Sequence, residues 1–129
     1  MKKFVIDLVA LLLTACGQKP LDSKDSVYMN ISAEQAKKMM EEESDYIILD
    51  VRTQEEYAQG HIPNAILIPD YEIEENAEKV LMDKNQLILV YCRSGRRSKL
   101  ASEILVKLGY TNIYEFGGII DWPYEIVQY

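Results

Sequence analysis

The stretch YCRSGRRSKLA, Tyr91 to Ala101, sets one cysteine at the end of an apolar run and at the mouth of a cationic loop. QLILVY before it has the pattern of a buried strand, and KLASEILVKLG after it has the pattern of a helix. A strand–loop–helix unit turns the backbone N–H groups of the loop toward the helix start, where they and the helix dipole attract negative charge. Placed there, Cys92 is expected to carry a substantial thiolate fraction near neutral pH. Gly95 permits the tight backbone of a concave loop, and Ser98 is the expected N-cap. Arg93, Ser94, Gly95, Arg96, Arg97 and Ser98 therefore read as the anion-binding shell of a nucleophilic Cys92. A lone cysteine is more often a small inert core residue. Strand end, glycine, helix start and arginines occurring together argue instead for a nucleophile that attacks anions.

The elements that must hold this loop follow from the rest of the pattern. Ser32 with Glu34 and Gln35 opens a helix over Ala33–Glu43, and Thr53 with Glu56 opens a shorter one stopped by Gly60. YIILDV, Tyr46–Val51, is a near-continuous apolar run suited to a strand buried on both faces, and Ala65–Ile68 is another. Asp70–Leu81 reads as partly helical, and Gln86–Tyr91 as the strongest strand. Ser98–Leu108 puts Leu100, Ala101, Ile104, Leu105 and Leu108 on one helical face, with Gly109 as its C-terminal cap. Asn112–Tyr114 is a last short strand. Strands alternating with helices at this spacing predict an α/β domain with a mainly parallel sheet, whose sites form at the carboxyl ends of strands, where Cys92 lies.

The chain has 129 residues, 48% hydrophobic and 27% charged, which is one domain with its own core. Its formal charge is -7, and removing Met1–Ala15 takes away Lys2, Lys3 and Asp7 and leaves -8. Such an acidic body argues against nucleic acid as a partner and confines anion binding to local donors. MKKFVIDLVALLLTAC, with two lysines, an apolar stretch interrupted at Asp7, and LTAC at its end, resembles the signal peptide of a bacterial lipoprotein. That resemblance implies cleavage of residues 1–15, a lipid on the sulfur of Cys16, and a tether to the outer or periplasmic side of a cell membrane. Residues 16–26, GQKPLDSKDS after the cysteine, read as a flexible linker, so the folded domain is expected over 27–129. With Cys16 acylated, Cys92 has no disulfide partner.

CRSGRRS, preceded by LDVRTQEEYAQGHIPNAILIP and followed by LGYTNIYEFGGIIDW, resembles the rhodanese family of sulfurtransferases across the whole expected domain. The resemblance implies a rhodanese-like five-stranded, mainly parallel sheet flanked by helices, and a catalytic Cys92. It also implies a reaction: the thiolate takes the outer sulfur of a small anionic donor such as thiosulfate, sulfite leaves, and a thiophilic acceptor such as cyanide or a thiol removes the sulfur from a Cys92 persulfide. Arg97, and more exposed Arg93, are expected to orient the donor. No metal or organic cofactor is required. A noncatalytic persulfide carrier, or a partner-binding module, would use the same loop. Phosphatases and arsenate reductases are less favoured, because a tyrosine-phosphatase-like loop has five residues between its cysteine and arginine, and that arginine would fall on Ser98. Asp50 and Arg52 read as a structural ion pair beside the site, and His61, the one histidine, as a turn residue. Asn64 stands where the family usually has glycine. Gly117, Gly118 and Trp122 read as a loop and a packing aromatic near the site.

Overall fold

The computed structural model describes residues 27–129. The expected signal segment, Cys16 and the linker lie outside the described residues. Five strands form one sheet in the order β1-β5-β4-β2-β3, with every pair parallel. They are β1 (Met29–Asn30), β2 (Tyr46–Asp50), β3 (Ile66–Leu67), β4 (Leu87–Cys92) and β5 (Ile113–Gly118). Four helices connect them: α1 (Ala33–Glu42), α2 (Gln54–Gln59), α3 (Ile73–Val80) and α4 (Arg96–Lys107). This is the expected five-stranded parallel sheet flanked by helices. Short 3-10 turns at Asp70–Glu72 and Ile119–Asp121 lead into α3 and out of β5.

Both capping boxes form. Ser32 Oγ accepts from the Gln35 N–H at 3.0 Å while the Gln35 side chain accepts from the Ser32 N–H, and Thr53 and Glu56 do the same for α2. All six residues of β4 are buried, as a central strand covered on both faces must be. Alternation then splits its side chains. Ile88, Val90 and Cys92 join Leu49, Ile73, Ala101 and Leu105 under α3 and α4. Leu89 and Tyr91 join Ala36, Ile48, Phe116 and Trp122 under α1.

Three expectations are corrected. Helix α4 starts at Arg96, and its N-cap is Gly95 rather than Ser98. Gly95 sits at φ 109°, a left-handed conformation that a β-carbon disfavours, which lets the chain leave β4 and enter the helix within three residues. Ser98 instead lies inside the first turn, 0% exposed, with its hydroxyl turned toward β5. Leu100 is half exposed, because the buried stripe of α4 runs through Ser98, Ala101, Ser102 and Leu105. Trp122 does pack, against Phe116, but on the α1 side of the sheet and away from the Cys92 face. Asn64 takes the left-handed conformation expected of it, at φ 71°.

Candidate functional site

Cys92 is the last residue of β4, 1% exposed, and the one cysteine among the described residues. The Gly95 N–H donates to its Sγ at 3.0 Å, and Ser98 Oγ lies 3.4 Å from the same sulfur. The loop thus wraps the sulfur with a backbone donor on one side and a hydroxyl on another, at the positive end of a twelve-residue helix.

The loop is clamped from the far side by β5 and the turn that follows it. The Ile120 N–H donates to Arg93 O at 3.2 Å. A β-carbon on Gly118 would lie 1.9 Å from Arg93 O and 2.5 Å from Ser94 Cα, so only glycine allows this approach. Strand β4 pairs with β5 through Val90 opposite Glu115 and then Cys92 opposite Gly118, an irregular register that brings the double glycine level with the nucleophile.

The arginines divide into two groups. Arg97 makes a two-pronged pair with Glu56, Nη1 to Oε1 at 2.8 Å and Nη2 to Oε2 at 2.9 Å. The Arg97 bonds, offset in part by burial, together with the Thr53 N–H and hydroxyl, pull the Glu56 carboxyl from 4.5 down to about 2. The same bonds raise Arg97 above its ordinary value, although burial opposes them. The Arg97 guanidinium, expected to orient a donor, is held by Glu56 and ties α4 to α2 across the site. Arg93 and Arg96 are exposed and, with Lys99, have no ion-pair partner among the described residues. These are the cations left to meet an anion.

Asp50 and Arg52 form the buried ion pair expected of them, with Nη2 2.7 Å from Oδ2. Tyr91 donates its hydroxyl to Asp50 Oδ2 at 2.6 Å and accepts from the Ile62 N–H, while Arg52 Nη2 donates to Gly60 O at 2.7 Å. Burial, then the Asp50 charge, pushes the Tyr91 phenol far above its ordinary value, so it stays a donor. Arg52 is raised by its bonds to Asp50 against the lowering effect of burial. This network fastens segment 52–62 to the sheet and has no atom on the sulfur. His61 lies in it, stacked on Tyr57 at 3.7 Å, with Nδ1 2.9 Å from Tyr57 O and its backbone bridged to Val127. The histidine is thus a packing residue of the opposite face.

One residue was missed by sequence reasoning. Glu115 is 0% exposed on β5, facing α4, and its carboxylate accepts from Ser98 Oγ, Asn30 Nδ2 and the Gly117 N–H. The available signal was an acidic residue at an inward position of the apolar strand IYEF. Among the described residues no group of three or more His, Cys, Asp or Glu side chains could hold a metal ion. A cavity of about 170 Å³ lined by Lys37, Met40, Ile62, Trp122 and Tyr124 lies on the α1 side and shares no residue with the Cys92 loop.

The family described as the rhodanese-like domain matches residues 32–123. Thiosulfate sulfurtransferase PspE of Escherichia coli is 44% identical over 73 residues, spanning 57% of this chain and 70% of that protein. A sulfurtransferase of Allochromatium vinosum is 34% identical over 93 residues, 71% of this chain and 85% of that one. The solved structure of an E. coli rhodanese with anions superposes with a TM-score of 0.61 at 39% identity, covering 65% of this chain and 99% of that chain.

Proposed function

Because this chain belongs to the rhodanese-like family and is a sulfurtransferase, we propose that it moves sulfane sulfur from thiosulfate, or a related small anion, to a thiophilic acceptor through a persulfide on Cys92. The observation that carries this reading is the Gly95 N–H aimed at Cys92 Sγ from 3.0 Å at the start of α4. The Cys92 thiolate attacks the outer sulfur of the donor, a sulfur–sulfur bond forms, and the donor's own S–S bond breaks with its electron pair leaving on sulfite. The terminal sulfur of the persulfide carries the charge formerly on Cys92 and stays under the donors of the loop. Cyanide or an acceptor thiolate then attacks that terminal sulfur and frees the Cys92 thiolate. Arg93 and Arg96 draw the dianionic donor to the loop, and Arg97, held by Glu56, shapes it.

The test is intact mass after exposure to thiosulfate, followed by cyanide. The wild type gains about 32 Da, located at Cys92, and loses it as thiocyanate forms. Cys92→Ser does neither. A wild type that turns over an aryl phosphate or arsenate but never gains this mass overturns the reading. A stable adduct with no transfer to cyanide or thiols would mark a carrier instead.

We further propose that the protein is exported and held on a membrane by a lipid on Cys16. The support is the Lys2–Lys3 pair, the apolar stretch and LTAC. Membrane-fraction protein is expected to start at a lipidated Cys16; recovery with an intact Met1 and an unmodified Cys16 refutes this.

A further inference from the structure

Glu115 is a fully buried carboxylate with no cation in ion-pair range among the described residues. A charge in that position is costly unless polar contacts hold it, and three do: Asn30 Nδ2 on Oε1, and Ser98 Oγ and the Gly117 N–H on Oε2. Ser98 Oγ is also 3.4 Å from Cys92 Sγ. A continuous line of hydrogen-bonding atoms therefore runs from Cys92 Sγ through Ser98 Oγ to Glu115 Oε2, away from solvent.

The Ser98 hydroxyl has one hydrogen. With Glu115 ionised, that hydrogen goes to the charged carboxylate in preference to the neutral Gly95 O, 3.0 Å away, and Ser98 is left to accept from the Cys92 S–H. For Ser98 to donate to a Cys92 thiolate while still bonded to Glu115, the carboxyl must carry the proton and donate it to Ser98. The two arrangements differ by a shift of two protons along the line.

Resting on the persulfide reading above, we propose that Glu115, acting through Ser98, is the proton acceptor that converts Cys92 from thiol to attacking thiolate. The S–H bond breaks as Ser98 Oγ takes that proton, and the proton of Ser98 passes to Glu115 Oε2. The electron pair stays on sulfur, where the Gly95 N–H and the Ser98 O–H now both donate. One negative charge moves from carboxylate to sulfur, so this step does not put two charges in the buried site. The persulfide anion inherits that single charge, with the proton still on Glu115. When the acceptor removes the outer sulfur, the thiolate returns and is ready to react again.

The groups around the line leave this path open. From the β1 side, Tyr28 is raised by burial and then by the charges of Glu103 and Glu115, and stays neutral. Helix α4 contributes Ser98, Glu103 and Lys99, together with Ser102, whose buried hydroxyl has no partner. Arg97 feels the Cys92 charge but is bonded to Glu56. His61, the one histidine, is stacked on Tyr57, which packs against the cluster under α1 on the opposite face.

The test measures iodoacetamide alkylation of Cys92 against pH in the full chain, read on the Cys92 peptide, with single-turnover persulfide formation from thiosulfate alongside. The wild type is expected to alkylate in two steps separated by a plateau, because one proton is shared between two sites. Glu115→Gln and Ser98→Ala each give a single step and lose at least ~10-fold in persulfide formation at about pH 6. The double variant is no slower than either single one, and Ser98→Thr, which keeps the hydroxyl, restores the two steps. A two-step profile that survives unchanged in Glu115→Gln, or a wild type with one step only, overturns the relay. The Ser98 pair keeps this decisive if Glu115→Gln unfolds, since Ser98→Thr and Ser98→Ala differ at the hydroxyl line while leaving the carboxylate in place. Wild type that forms no Cys92 persulfide at any pH sinks the sulfur-transfer reading itself; persulfide formation with profiles unaffected by both residues sinks only the relay.

Discussion

Replacing Glu56 by Gln removes a charge while keeping an oxygen that can still accept from Thr53, so α2 keeps its cap and loses only the ion pair with Arg97. The folded state holds the Glu56 carboxyl at about 2 against an ordinary 4.5. That difference corresponds to about 3 kcal/mol of stability at neutral pH. The Glu56 side chain is 24% exposed, so solvent screens the pair, and we expect about 1 to 2 kcal/mol. Because the carboxyl is depressed in the folded protein, its contribution is complete above about 4.5 and disappears as pH falls through about 2. Urea unfolding of wild type and Glu56→Gln at neutral pH, near pH 4 and near pH 2.5 reads this directly. The variant should be less stable by about 1 to 2 kcal/mol at neutral pH, and the gap should shrink toward zero at the acid end. A gap that stays constant across this range refutes the claim that the Arg97 pair, rather than the shape of the Gln side chain, accounts for the loss. The same variant frees Arg97, and its donor KM tests whether pinning that guanidinium shapes the loop.

Gly118→Ala should abolish most persulfide formation, at least ~10-fold, since its β-carbon collides with Arg93 O and pushes the loop off β5; thiosulfate single-turnover rates check this. Tyr91→Phe leaves the buried Asp50 and the Ile62 N–H each short of a partner and should cost about 1 to 3 kcal/mol in chemical denaturation, with the Cys92 alkylation rate in the folded protein unchanged. Arg93→Ala and Arg96→Ala should each raise the thiosulfate KM about 5-fold, corresponding to about 1 kcal/mol for an exposed cation, with kcat little affected and the effect fading in high salt. Unchanged KM in both variants would leave the loop backbone as the whole of the donor site.

The elements were legible because their signals are local. Ser32 and Gln35, and Thr53 and Glu56, are three residues apart on the chain, and a capping box needs nothing beyond that spacing. The apolar runs at Tyr46–Asp50 and Leu87–Cys92 announce strands covered on both faces, and both stand in the middle of the sheet. The start of α4 was misread because Ser98 is a good N-cap by type, and its hydroxyl was claimed instead by a carboxylate seventeen residues on. Leu100 lies outside because the buried stripe of α4 includes Ser98 and Ser102, two polar residues that hydrophobicity alone would put on the solvent face.

From sequence alone came the strand–loop–helix placement of Cys92, the parallel α/β architecture and the cationic character of the loop, all encoded in residue types within one or two turns of each other. Only the tertiary structure decided which arginine is free, since Glu56 reaches Arg97 from forty-one residues away. Only it showed why Gly118 must be glycine, and that Glu115 lies behind Ser98 and Cys92. Those contacts join strands and helices distant in the chain, and their energies depend on burial and on competing partners, neither of which a single stretch of residues contains.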